Sequence, residues 1–299
     1  MRQLPISSRS LMIKLVWCFY QALRDTIKHD GNVHAGYLAF LSLLSLFPFL
    51  VFLAAIAGIF SASVIESEFV NVLLSNLPTR AADALQPHIK EILSGPPHAL
   101  LTLAVAGTIW TASTTVEALR TVINRAYHVH DRPAYIFRRL LSVAQFIMLT
   151  IAIIVVMGVM IFFPLIMQYM VTKMAGVVDL APFINSLWNY VRYCFIILTL
   201  FIGVSALYVI LPNTSIRWRY VMPGAAMVVA TWLIAAVIYS RYLDHVQQLS
   251  AIYGSLGGVI VALIFFYILN AIFIYGAEFN YQLWRLFHPD EEEEEDPMI

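Results

Sequence analysis

Six stretches of this chain carry no Asp, Glu, Lys or Arg, and each is long enough to cross a lipid bilayer. They are Gly31–Ile65, Ile92–Val116, Leu140–Thr172, Tyr193–Ile216, Tyr220–Ser240 and His245–Ala277. A hydrocarbon core about 30 Å thick needs roughly 20 apolar helical residues, which every run supplies. Spans of this kind must satisfy their backbone internally, as helices or as closed barrels. The runs lack the period-2 alternation of barrel strands. The reading is an all-α polytopic membrane protein.

The composition fits that solvent, with 61% hydrophobic and 12% charged residues and no net charge. Neither value suits an ordinary soluble domain. Zero net charge gives no nucleic-acid footprint, so no nucleic-acid partner is expected. Cys18 and Cys194 match no metal or redox spacing.

The cations between the runs set an orientation. One side collects Arg2, Arg9, Lys14, Arg24 and Lys28, then Arg120, Arg125, Arg132, Arg138 and Arg139, then Arg217, Arg219 and Arg285. The other side has Arg80, Lys90, Lys173, Arg192 and Arg241. Thirteen against five places both termini in the cytoplasm under the positive-inside rule.

The expected order is a cytoplasmic arm (1–33), a six-helix membrane domain (34–286) and a disordered acidic tail (287–299). The spans are expected near 34–60, 99–117, 141–168, 188–211, 221–241 and 254–279. Lys14 interrupts the first apolar stretch and no A-x-A-like site closes it, so the arm does not read as a cleavable signal. Leu11–Ile27 instead reads as an amphipathic helix, lying in the membrane interface or packed under the bundle. The outer segment 61–98 reads as two short helices forming a cap. The inner segment Thr121–Arg139 is basic, which reads either as a contact for anionic lipid or as ordinary positive-inside bias. Asp290–Asp296 is seven successive acids that repel one another.

Candidate functional residues fall in three spans. In the first, Ala35, Ala39 and Ser42 share a face beside Gly36, the pattern of close helix packing. His34 opens that span, and Pro48 should kink or break it because it cannot donate to the Leu44 carbonyl. The second is the most polar, with Thr102, Thr108, Thr111, Ser113, Thr114 and Thr115 ahead of Glu117 and Arg120. Glu117 and Arg120 can pair at a three-residue spacing. The last span opens with Gly254, Gly257 and Gly258, a weak helix start, and carries Asn270 and Glu278 further in. Each feature has two readings: a pathway or hinge, or polar glue between helices.

Catalytic signatures are missing: no P-loop, no G-x-S-x-G, no H-E-x-x-H. His128, His130 and Asp131 form a short loop cluster, too little for a metal site, so no metal and no cofactor are expected. A hydrolytic nuclease needs clustered carboxylates, whereas Glu66, Asp83, Glu117, Asp179, Asp244 and Glu278 are scattered.

Three separated motifs, in order, resemble the YihY/BrkB family of bacterial inner-membrane proteins, formerly labelled ribonuclease BN. They are Gly36–Pro48; Pro212-Asn213-Thr214 with Arg217-Trp218-Arg219 and Pro223-Gly224-Ala225; and Ile252–Gly257 through Gly276-Ala277-Glu278. The resemblance covers about Val33 to Tyr281. It implies a multi-pass inner-membrane protein whose relatives have been linked to envelope lipid movement, virulence and a ribonuclease label. The expectation is a non-enzymatic transporter or lipid translocator, with a scaffold as the alternative and a membrane ribonuclease as a third reading. Its pathway or hinge residues would be His34, Gly36, Ser42, Pro48, Thr111, Glu117, Arg120, Gly254, Gly257, Gly258, Asn270 and Glu278. Membrane lipids are the expected partners, and the oligomeric state stays open.

Overall fold

A computed structural model describes residues 10–59, 98–129, 134–174, 181–214, 216–245 and 256–288. Among them are seven helices and no strand: α1 Ser10–Lys28, α2 Gly31–Ile59, α3 His98–Ala126, α4 Tyr135–Met174, α5 Ala181–Ile210, α6 Trp218–His245 and α7 Leu256–Phe287. Five are long and apolar enough to cross a membrane, namely α2, α4, α5, α6 and α7. The second expected span also forms a helix, α3, with Glu117, Arg120 and Arg125 in its C-terminal third. The expected outer cap (61–98, but for His98) and the acidic tail lie outside the described residues, apart from 287–288.

The chain divides into two compact units. The first holds α1, residues 31–41 of α2, the end of α3 from Ala118, the end of α5 from Phe201, and all of α6 and α7. The second holds α2 from Ser42, α3 up to Glu117, α4, and α5 up to Leu200.

In the first unit, Ala35 and Leu38 of α2 pack on Ala118 and Val122 of α3 and on Ile274 of α7. Ala35 and Ala39 are fully buried, as the small-residue face predicted. Gly36 is not part of that close approach, because a methyl group there would meet nothing. The tight approaches lie elsewhere. A Cβ at Gly224 would strike the Asn280 amide, and one at Gly276 would strike Val228 and the Tyr208 hydroxyl. Those two glycines let α6, α5 and α7 come together.

Hydrogen bonds to backbone carbonyls fasten the same helices. Tyr208 donates to Phe273 O at 2.5 Å and Trp232 to Leu269 O at 2.9 Å, while Gly224 N donates to Asn280 Oδ1 at 3.0 Å. Asn270, expected to join helices, donates instead to Phe266 O of its own helix at 2.8 Å. α1 lies against α7 through Cys18, Ala22 and Phe279. It still exposes Val16, Trp17, Tyr20, Leu23 and Ile27, a face suited to the membrane interface.

In the second unit, Phe49 and Phe52 of α2 meet Phe146 of α4 with ring centroids 6.3 and 6.1 Å apart. Of the two outcomes expected at Pro48, a kink or a break, the break does not occur: α2 continues through it. Thr108 of α3 donates to the Pro48 carbonyl at 2.9 Å. That contact ties α3 to α2 beside the proline.

Candidate functional site

The site is built where two helix ends meet α7. Helix α1 stops because Asp30 takes a left-handed backbone, φ 56°. Gly31 follows, and any side chain there would collide with the Thr26 carbonyl. The end of α3 is a Schellman motif: His128 N bonds Arg125 O at 3.1 Å, and Val129 N bonds Asn124 O at 2.9 Å. His128 holds the left-handed position, φ 55°, normally given to glycine. The Asn124 side chain accepts from Asn213 N at 2.8 Å, tying the turn after α5 to this end of α3.

These ends bring three chemically able side chains together. His29 Nδ1 lies 2.9 Å from Glu278 Oε1 of α7. The His128 ring is edge-on to His29, with centroids 4.9 Å apart, and lies against Tyr281 at 4.5 Å. One donor atom from each of His29, His128 and Glu278 falls within 4.8 Å of the others. His29 is partly buried, whereas Glu278 is only 1% exposed. Its second oxygen, Oε2, is buried and makes no hydrogen bond.

A polar shell surrounds them. Gln282, one turn beyond Glu278, donates to Asp25 Oδ2 of α1 at 2.6 Å. Arg125 donates to His34 Nε2 at 2.9 Å and lies 3.5 Å from Asp30 Oδ2. Arg120 of α3 is buried in the same unit. The Tyr127 hydroxyl faces the Asn280 amide without a full hydrogen bond, and burial pushes its phenol up, so it stays neutral. For His29, partial burial is the largest influence and lowers the imidazole from its ordinary value. Lys28 and Arg125 act in the same direction, while Asp25 and Asp30 oppose them.

Of the residues predicted from sequence, His34, Arg120 and Glu278 fall in this unit near the helix ends, with Gly36 on the same part of α2. Ser42, Pro48, Thr111 and Glu117 belong to the second unit. There Glu117 accepts from Arg138 Nε at 2.7 Å and lies 3.5 Å from Arg139. Arg139 also donates to Thr114 and to Trp110 O, and its guanidinium lies 4.3 Å over the Trp110 ring. The Thr111 hydroxyl is turned back onto Gly107 O at 2.9 Å, bonded within its own helix. Gly257 and Gly258 occupy the first turn of α7, at the end away from Glu278, and Asn270 lies between. Gly254, His130 and Asp131 are outside the described residues.

Sequence reasoning missed His29 and the part His128 plays here. It looked for ligands along one loop, whereas the partners come from α1 and α7. The available signal was Glu278 and Gln282, one turn apart on an apolar helix, which must face something polar.

The sequence pattern of the family described as Virulence factor BrkB matches residues 22–298. The chain belongs to that family. Among BrkB-like relatives, the ribonuclease-like protein YfkH of Bacillus subtilis is 32% identical over 213 residues, covering 71% of this chain and 76% of YfkH. A UPF0761 membrane protein of Aliivibrio salmonicida is 26% identical over 279 residues, covering 91% of this chain and 84% of its own. One from Pseudoalteromonas atlantica is 23% identical over 284 residues, covering 91% and 89%. No solved structure matches the chain. A helical, membrane-spanning BrkB-family protein is the secure description.

Proposed function

We propose that this BrkB-family protein is a non-enzymatic translocator of the bacterial inner membrane. It would pass a lipid or small envelope solute along α2, α3 and α7, with both termini cytoplasmic. The observation that carries the reading is a buried ionisable group, Glu278, on a spanning helix where α2 and α3 also pack. Ionisable side chains on such helices are expensive and usually mark a pathway or a proton relay. Arg120, Asn280 and Gln282, also buried in this unit, offer replaceable hydrogen bonds to a polar headgroup.

A scaffold is the second reading, favoured by the Tyr208, Trp232 and Asn280 bonds, which spend polar groups on joining helices. Cysteine-accessibility labelling along α2, α3 and α7 separates the two. Translocation predicts a water-reachable row of positions leading to Glu278. Protection at every position would discard the pathway and leave the scaffold. Comparing the lipid and metabolite content of the two membrane faces, with and without the protein, then identifies the cargo.

The ribonuclease reading finds little support. The His29–His128–Glu278 group holds a single carboxylate, whereas two-metal hydrolysis uses several. Purified protein that degraded RNA in the presence of a divalent metal, and lost that activity with E278Q, would restore it.

A further inference from the structure

We infer that His29, His128 and Glu278 form a binding site for one divalent transition-metal ion of the zinc class. Two imidazoles and a carboxylate are the donor set that zinc and its first-row neighbours favour, whereas calcium and magnesium prefer oxygen throughout. Three protein donors leave a coordination position for water or another ligand.

The geometry is close to what an ion needs. Zinc bonds of about 2.0–2.1 Å place tetrahedral ligands roughly 3.3 Å apart. His29 Nδ1 and Glu278 Oε1 are 2.9 Å apart, and all three donors lie within 4.8 Å. Closing the widest gap therefore takes up to about 1.5 Å of side-chain movement, which rotation of the partly exposed His128 ring can provide. Glu278 brings a second, independent sign. Its carboxylate is buried, yet Oε2 makes no hydrogen bond. A buried carboxylate oxygen without a donor is costly, and a cation held by both oxygens of Glu278 would satisfy it.

The surrounding charges admit a cation. Asp25 and Asp30 are the acids facing His29 beside Glu278, and Lys28 and Arg125 are the bases. Arg125 is engaged by His34 and Asp30, and Asp25 by Gln282. With Glu278 ionised on the metal, three carboxylates face two cations. The ion would link the end of α1, the end of α3 and α7, three segments far apart in the chain. Its role is to fasten this end of the first unit, and the inference stands whether or not the protein translocates anything.

His128 makes the site separable from the fold. Its left-handed backbone is where glycine is preferred, so H128G removes a ligand while relieving the backbone. The test uses the full chain in detergent micelles, stripped with chelator, reloaded with zinc and desalted, with cobalt in parallel for its tetrahedral visible bands. The wild type should retain one zinc per chain and melt higher with metal than without. H128G should lose more than about 100-fold in zinc affinity, since even outer-shell changes cost 10–100-fold. Its metal-free melting temperature should be equal to or above that of the wild type. E278Q should also lose zinc, and it decides the matter if H128G fails to fold. Zinc held as tightly by both variants as by the wild type would place the ion elsewhere on the chain and overturn the site. So would a wild type that retains none.

Discussion

His29 and Glu278 stand 249 positions apart in the chain, and their side chains meet at 2.9 Å. The contact joins the first helix to the last and encloses a carboxylate that water barely reaches. Its two partners are not equivalent. H29A strips the carboxylate of its donor and leaves a buried acid alone, at a cost of about 1–3 kcal/mol. E278Q keeps an acceptor for the imidazole while removing the charge. With chelator present, H29A should therefore melt lower than E278Q in detergent. The reverse order would mean that the imidazole, not the carboxylate, is the group that needs its partner.

Glycines divide sharply by what surrounds them. G224A and G276A would drive a methyl group into Asn280, and into Val228 and Tyr208, so each should cost about 1–3 kcal/mol by overpacking. G36A and G258A meet open space and should be neutral or stabilising by up to about 1 kcal/mol, the helix preference of alanine. Melting temperatures of the four variants in one detergent check this. Equal losses at all four would remove the packing explanation.

This contrast also marks how far the sequence could be read. Charge-free runs gave the spanning helices because span length is a one-dimensional property, visible without knowing any neighbour. The facing of Ala35 and Ala39 was legible for the same reason, since helical period alone sets it. Which glycine touches a neighbour is not a local property. Gly36 and Gly258 looked as able as Gly224 until the partner helices were in place. The hydroxyls of α3 were ambiguous for another reason: Thr111 and Thr114 bond back to their own helix, an arrangement the sequence does not distinguish from a polar groove. His29 escaped notice because it lies in a helix end, with its partner at the far end of the chain.

Glu117 is the anchor of the second unit's charged group, holding Arg138 and touching Arg139. Both arginines are partly screened by solvent, so the pair is worth less than a buried one. R138A should cost about 1–2 kcal/mol, because the 2.7 Å bond is the shorter of the two contacts. R138K should recover only part of this, since lysine lacks the directed guanidinium donor. R139A removes the stack over Trp110 as well, so the indole emission should shift in that variant and not in R138A. Chemical denaturation followed by fluorescence reads both effects.

Cys18 supplies a pH test away from the spans. Its thiol is buried between α1 and α7, where it donates weakly to Gln282 O at 3.8 Å, and burial raises its pKa. Native protein at pH 8 should therefore leave Cys18 unmodified by a maleimide, and unfolding in detergent should expose it. The sign for stability follows from which state holds the proton. The folded chain keeps the thiol protonated to higher pH than the unfolded chain, whose thiol ionises near 8.5. Ionisation then pulls toward the unfolded state, so Cys18's contribution is intact below about pH 8.5 and is lost progressively above it. C18A removes the titrating group, so its melting temperature should fall less than the wild type's between pH 8 and pH 10. Parallel pH profiles for the two would show that Cys18 ionises alike in both states, and rapid native labelling would show that α1 is not held against α7.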